Sequence, residues 1–343
     1  MFDRRGWMSR RAGLAALGLV VGAGALAGAF AQTVRTAPEP GRTYRIGYSQ
    51  IVDHPALNET RRGFLDALRQ AGFVQGQNLV FDYQNAQGDV GNARTIAEKF
   101  IADRVDLIAP CTTPNVQAAI RVARGSRIPV VFGCVTNPVD SGIIASLDQP
   151  TGANVTGHYG IPPVSQMFDL AAQLSPQARR FGTIYNAAET NSQIVNRRAK
   201  AEAERRGLQW VEVQIASSAE VRTAIESLVG RVDAIMTPQD NTVASAYDAV
   251  TRVARDNRIP LFSLDITTVE RGAIASYSNN QYQTGVDWAN DVAIPVLLGR
   301  DAGTIAPTAY RAFDLFVNRA AAASVGITLP PELVQRASRV FDR

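Results

Sequence analysis

Short apolar runs alternate with amphipathic stretches along most of the chain. Residues 45–49 read as a strand; Leu57, Phe64, Leu65 and Leu68 then recur at helical spacing until Gly72 stops the helix. Residues 79–83 read as the next strand, followed by Ile96, Ala97, Phe100 and Ile101 on one helical face. Residues 105–109 and 129–133 are apolar runs separated by Val116, Ala119, Ile120 and Ala123 at helical spacing. Runs that are apolar on both faces predict buried parallel strands, and their alternation with helices predicts a doubly wound sheet.

The pattern then starts again, with strands predicted over 181–185, 209–213, 232–236 and 259–262. Arg104-Val105-Asp106-Leu107-Ile108 in the first half matches Arg231-Val232-Asp233-Ala234-Ile235 in the second. Arg121-Val122-Ala123-Arg124 with Arg127-Ile128-Pro129 likewise matches Arg252-Val253-Ala254-Arg255 with Arg258-Ile259-Pro260. One short insertion brings the two copies into register. The predicted class is therefore α/β, with two doubly wound parallel-sheet lobes.

Composition agrees: 343 residues that are 46% hydrophobic and 19% charged can fill two cores, and two Cys exclude a Cys-rich zinc module. The formal charge of +4 could be read as a nucleic-acid footprint, but its location argues otherwise. Arg4, Arg5, Arg10 and Arg11 against Asp3 give residues 1–31 a net +3, which leaves +1 on the rest of the chain. A basic start, an apolar run from Ala12 and an Ala29-Phe30-Ala31 end read as a cleavable export signal, with cleavage expected after Ala31. The alternative is an uncleaved membrane anchor. Ser9-Arg10-Arg11 resembles a twin-arginine motif, so Sec and Tat export are both open. No Cys lies near Ala31 to carry a lipid. The expected mature chain is periplasmic, not membrane-embedded and not a nucleic-acid binder, with a tether over 32–42.

Ligands of open parallel sheets bind outside the carboxyl ends of the strands. If two lobes oppose those ends, one cleft is lined by the loops 50–58, 111–115 and 134–139 of the first copy and 186–192, 237–242 and 263–267 of the second. These loops supply Gln50, His54, Thr112, Thr113, Thr136, Asn137, Asn191, Ser192, Asp240, Asn241 and Asp265 as candidate ligand contacts. Thr112 and Thr113 open a helix with Pro114 at an early position, where free N–H groups and hydroxyls suit a carboxylate. Asp240 occupies the matching place across the cleft and suits a cation. Ordinary helix capping is the alternative at both places. Taken together they suit a zwitterion such as a free amino acid. Tyr159, Tyr185 and Tyr277, with Tyr48 and Phe132, fall near strand ends where they could hold an aromatic side chain or simply fill the core.

Nucleophile elbows, phosphate loops, dinucleotide fingerprints and clustered metal ligands do not occur after the leader, so a binding protein is expected rather than an enzyme, with no cofactor and no metal. Cys111 and Cys134 end successive strands and could form a disulfide in an oxidising compartment or remain two small buried thiols.

Several segments resemble the substrate-binding proteins of ABC importers, in the group linked to tryptophan and tyrosine uptake. They are Gln50-Ile51-Val52-Asp53-His54-Pro55-Ala56-Leu57, Gln75-Gly76-Gln77-Asn78-Leu79, Asp240-Asn241-Thr242-Val243-Ala244-Ser245 and Val269-Glu270-Arg271-Gly272-Ala273-Ile274-Ala275. The resemblance implies a type I periplasmic-binding-protein fold, with lobe 1 over 43–157 and 272–312 and lobe 2 over 158–271 and 313–343, closing about a hinge. It implies that Asp240 holds a ligand amino group, that Thr112 and Thr113 hold its carboxylate, and that an inner-membrane ABC permease is the partner. Two departures bear on the ligand side chain: Asn137 stands where the family usually has Asp, and residues 277–282 are unusually polar. The expected function is a receptor for an aromatic amino acid. A sugar, purine or amide ligand, a ligand-sensing module and a hydrolase on the same scaffold are the alternatives.

Overall fold

The structure is a computed structural model that describes residues 35–342; the segment expected to be an export leader lies outside them. Thirteen strands occur among the described residues: β1 Tyr44–Gln50, β2 Leu79–Asn85, β3 Leu107–Cys111, β4 Val130–Val135, β5 Val155–Tyr159, β6 Arg180–Asn186, β7 Gln209–Ile215, β8 Ala234–Thr237, β9 Leu261–Ser263, β10 Ala275–Asn279, β11 Thr308–Ala309, β12 Phe313–Asn318 and β13 Arg339–Phe341. They form one sheet ordered β11-β5-β4-β3-β1-β2 and a second ordered β13-β12-β10-β9-β8-β6-β7. Every pairing is parallel except that of β10 with β12. Among the described residues no helix is long and apolar enough to cross a membrane.

The internal repeat has a structural basis. Asp106 sits just ahead of β3 and accepts the Arg45 N–H at 2.8 Å, while its own N–H reaches the Arg45 carbonyl. Asp233 does the same ahead of β8, accepting the Arg180 N–H at 2.8 Å and donating to the Arg180 carbonyl. In each copy one carboxylate pins the start of the neighbouring strand, which sets the register of the central pair. Arg42 and Arg180 then close an ion pair on that same carboxylate.

Apolar side chains from both faces of each sheet form the cores, as the strand pattern predicts. Tyr48, Phe64 and Trp288 centre the first lobe, with ring centroids 4.5 to 5.6 Å apart. Phe168, Phe181 and Phe262 fill one side of the second sheet, and Ile184, Ile235 and Tyr247 fill the other.

The lobe boundaries differ from those expected. The first crossing follows Tyr159, because β5 pairs with β4 and β11 through that residue. The second lies at Asn280, eight residues beyond the expected Gly272. Gly272, at φ 111°, only turns the chain into β10, which pairs with β9 and β12 of the second sheet. From Gln281 the helix Gln281–Trp288 returns to the first lobe and packs on the helix Pro55–Gln70. The third crossing runs between β11 and β12.

Candidate functional site

The carboxyl ends of the two sheets face each other across a narrow cavity of about 50 Å³ that opens partly to solvent. His54, Ala56 and Leu57 follow β1; Thr112 follows β3; Cys134 and Thr136 come from the end of β4. The second lobe supplies Asn191 after β6, Gln239, Asp240, Asn241 and Ala244 after β8, and Asp265 after β9. Asn279 and Gln281 close the hinge side. None of the lining residues is Lys or Arg.

The first-lobe wall is built to donate. Thr112 has φ 87°, a left-handed conformation that is unfavourable for a β-branched residue, and neither it nor Thr113 caps the helix Thr113–Ala123 with its side chain. Both hydroxyls are buried without a hydrogen-bond partner. Buried hydroxyls are normally paired, so two consecutive orphans at a helix start are unusual; Thr112 lines the cavity and Thr113 lies behind it. Cys111 and Cys134 are joined by a disulfide whose Cα atoms lie 5.1 Å apart, directly behind Thr112.

The second-lobe wall is acidic. Asp240 accepts the Val243 N–H at 2.8 Å through Oδ1 and the Asn186 N–H at 2.6 Å through Oδ2. It therefore caps its helix and still has lone pairs available on both oxygens. Burial, and then the Glu189 carboxylate nearby, push its pKa up to about 7; hydrogen bonds from Val243, Asn186 and Ser192 oppose the rise. Glu189 accepts the N–H and hydroxyl of Thr242 through one oxygen, and the N–H and side-chain amide of Asn241 through the other. Asp265 spends Oδ1 on Thr267 and keeps Oδ2 free of hydrogen bonds among the described residues.

His54 bridges the lobes, its Nε2 lying 3.4 Å from the Asn241 Oδ1, while its Nδ1 is buried and unpartnered. Burial lowers its pKa more than the Asp265 charge raises it, so the ring is neutral.

Seven of the sequence-predicted residues meet at this cavity: His54, Thr112, Thr136, Asn191, Asp240, Asn241 and Asp265. Thr113 and Ser192 lie buried behind it. The others do not line it, each for a visible reason. Gln50 is held inside the first lobe by Arg61, whose guanidinium donates to its Oε1 at 2.6 Å. Asn137 closes its own turn, accepting from Val139 and Asp140. Tyr159 packs beside Val116 and Phe132, Tyr185 is tied to Gln214, and Tyr277 stacks on Phe313 away from the cleft. Tyr48 and Phe132 are core residues. The aromatic lining expected from strand-end tyrosines is thus absent from the cavity. Sequence reasoning missed Gln239, Asn279, Gln281 and the supporting Glu189. The polarity of residues 277–282 was the signal for the hinge amides.

The family model described as ABC transporter substrate binding protein matches residues 45–341. A tyrosine-binding protein of Clostridioides difficile is 34% identical over 307 residues, covering 90% of this chain and 88% of the relative. A Streptococcus pneumonia ABC domain solved in complex with L-Trp is 27% identical and superposes with a TM-score of 0.82, over 87% of this chain and all of that one. A ligand-free, open substrate-binding protein with adhesive properties from Clostridium difficile is 34% identical and covers 88% of this chain and all of its own. It superposes less well, with a TM-score of 0.66.

Proposed function

The chain belongs to the ABC transporter substrate-binding protein family, and from that premise we propose that it is a periplasmic receptor that closes on an aromatic amino acid and delivers it to an inner-membrane permease. One observation carries the amino-acid reading: the Thr112 wall, where the hydroxyls of Thr112 and of Thr113 behind it are both orphaned, lies across one cavity from the carboxylates of Asp240 and Asp265. The ligand carboxylate takes the Thr112 and Thr113 hydroxyls with the N–H groups of that helix start. The ligand ammonium takes Asp240 and Asp265. An ammonium beside Asp240 supplies the opposite charge that its buried carboxylate lacks, so binding favours ionisation of both partners. Closure then buries the ion pairs where they are strongest and presents the closed surface to the permease.

The aromatic class rests on the relatives, one named for tyrosine binding and one solved with L-Trp. A polar ligand such as a sugar, purine or amide is the second reading, favoured by the amides of Gln239, Asn279 and Gln281 on the hinge side. Calorimetric titration of the chain from residue 32, stripped of ligand by unfolding and refolding, decides between them. Saturable one-to-one binding of L-Trp or L-Tyr is expected, and the amino acid should be recovered unchanged after prolonged incubation. Heat from a sugar or a nucleobase with none from any amino acid would overturn the reading, and turnover would make the protein a hydrolase. A permease and an ATPase encoded beside it distinguish an importer receptor from a sensing module.

A further inference from the structure

The wall that faces the ligand carboxylate contains two of the five non-glycine residues with positive φ among the described residues, Thr112 at 87° and Cys134 at 55°. They lie at the ends of adjacent strands, β3 and β4, and the Cys111–Cys134 disulfide ties those two ends together. At the same point the pairing of β4 with β5 shifts register, between Phe132 and Val135. The Thr112 N–H is fixed to the Gly133 carbonyl at 3.1 Å, so the two strand ends hold each other's conformation. A left-handed conformation disfavours a non-glycine residue by roughly tenfold in population, and such residues persist only where their surroundings over-determine them. Here the over-determining element is covalent.

We propose that the Cys111–Cys134 disulfide is a positioning element of the ligand site, holding Thr112 and Cys134 in the left-handed conformations that aim the Thr112 and Thr113 hydroxyls at the ligand carboxylate. The assignment rests on the amino-acid reading above for what is bound. Its structural half stands on the backbone alone. Without the bridge, the strand ends relax toward ordinary φ and the site must be reordered at each binding event, which lowers affinity. Cys134 itself lines the cavity, so bound ligand also covers one of the two sulfurs.

The experiment compares the oxidised wild type with Cys111→Ala/Cys134→Ala and with Cys111→Ala/Cys134→Gly, measuring L-Trp and L-Tyr affinity well below the unfolding temperature. The Ala pair is expected to lose about ten- to hundredfold in affinity. The Gly pair should recover part of that loss, because glycine enters positive φ freely even though it destabilises the unbridged chain. A bridge that only stabilised the fold would leave affinity unchanged at low temperature, and would make the Gly variant no better than the Ala variant. Either result overturns the assignment. Amide hydrogen exchange over 111–116 and 133–137 provides a readout independent of ligand, with faster exchange expected in both unbridged pairs than in the oxidised wild type. Unchanged exchange overturns the positioning role even if no amino acid binds. A wild type that binds neither amino acid instead overturns the functional reading, and the exchange data still decide the role of the disulfide.

Discussion

Asp240 is a helix cap and a candidate ligand contact at once, and its protonation separates the two roles. The folded, ligand-free protein holds its proton up to about pH 7, well above the ordinary aspartate range. The sign follows from linkage: the stability this group contributes is fully present below about pH 4 and is lost as pH rises through about 7. Ligand binding has the opposite sign, because an ammonium selects the ionised carboxylate. Affinity for an amino acid should therefore fall roughly tenfold per pH unit once the pH drops below about 6, with about one proton released on binding there and about half a proton near neutrality. Calorimetry in two buffers of different ionisation heat measures both. Asp240→Asn retains an acceptor for the Val243 N–H but sets an amide donor against the Asn186 N–H, so it should fold with a stability loss of about 1–3 kcal/mol and lose at least a hundredfold in affinity together with the pH dependence. Wild-type affinity in that variant would remove Asp240 from the site. Asp240 was legible in the sequence because it opens a helix at a strand end. Glu189 was not, because its importance comes from Asn241 and Thr242, some fifty residues away in the chain.

At the scale of elements, legibility followed the hydrophobic pattern. The eight strands predicted from apolar runs all form, whereas β5 and β10 bury Thr156, His158, Ser276 and Ser278 and offer no apolar run to read. Most of these polar groups are paired within their own lobe, Thr156 to the Ile305 carbonyl, His158 to Thr308 and Ser278 to the Leu264 carbonyl. Missing β10 is what misplaced the second crossing. The return from that crossing depends on a close helix approach that the pattern also hides. Where the helix Pro55–Gln70 meets the helix Gln281–Trp288, a Cβ on Gly285 would lie 1.9 Å from the Thr60 carbonyl oxygen, and one on Gly63 would lie 2.0 Å from that of Tyr282. Backbone atoms cannot yield as a flexible side chain can, so the helices must move apart. Gly285→Ala should destabilise the protein by about 1–3 kcal/mol, the usual cost of overpacking, seen as a lower midpoint in denaturant unfolding. An unchanged midpoint would mean that the two helices are free to separate.

For the whole molecule, the arrangement of the lobes is the quantity that sequence could not supply, since it depends on three short crossings and a few contacts between facing loops. His54 with Asn241 and Thr60 with Gln281 connect residues far apart in the chain and tie the first lobe to the second lobe and the hinge. The chain also superposes better on the L-Trp complex than on the open relative, although the open relative is more similar in sequence. Both observations point to a closed arrangement. Closure without ligand would bury two acidic groups with no opposite charge and two orphaned hydroxyls with no partner, which is unfavourable. The ligand-free protein should therefore populate an open form. Saturation with amino acid should shift that population, because the ligand contacts both walls only when the lobes are together. Small-angle scattering measures this directly. The radius of gyration should be larger without ligand and contract on saturation to the value of the closed form, and Asp240→Asn should remain extended at the same amino-acid concentration. Wild-type protein that already scatters as the closed form when stripped of ligand would show that the contacts between the lobes suffice alone, and that selectivity comes from the cavity rather than from its closing.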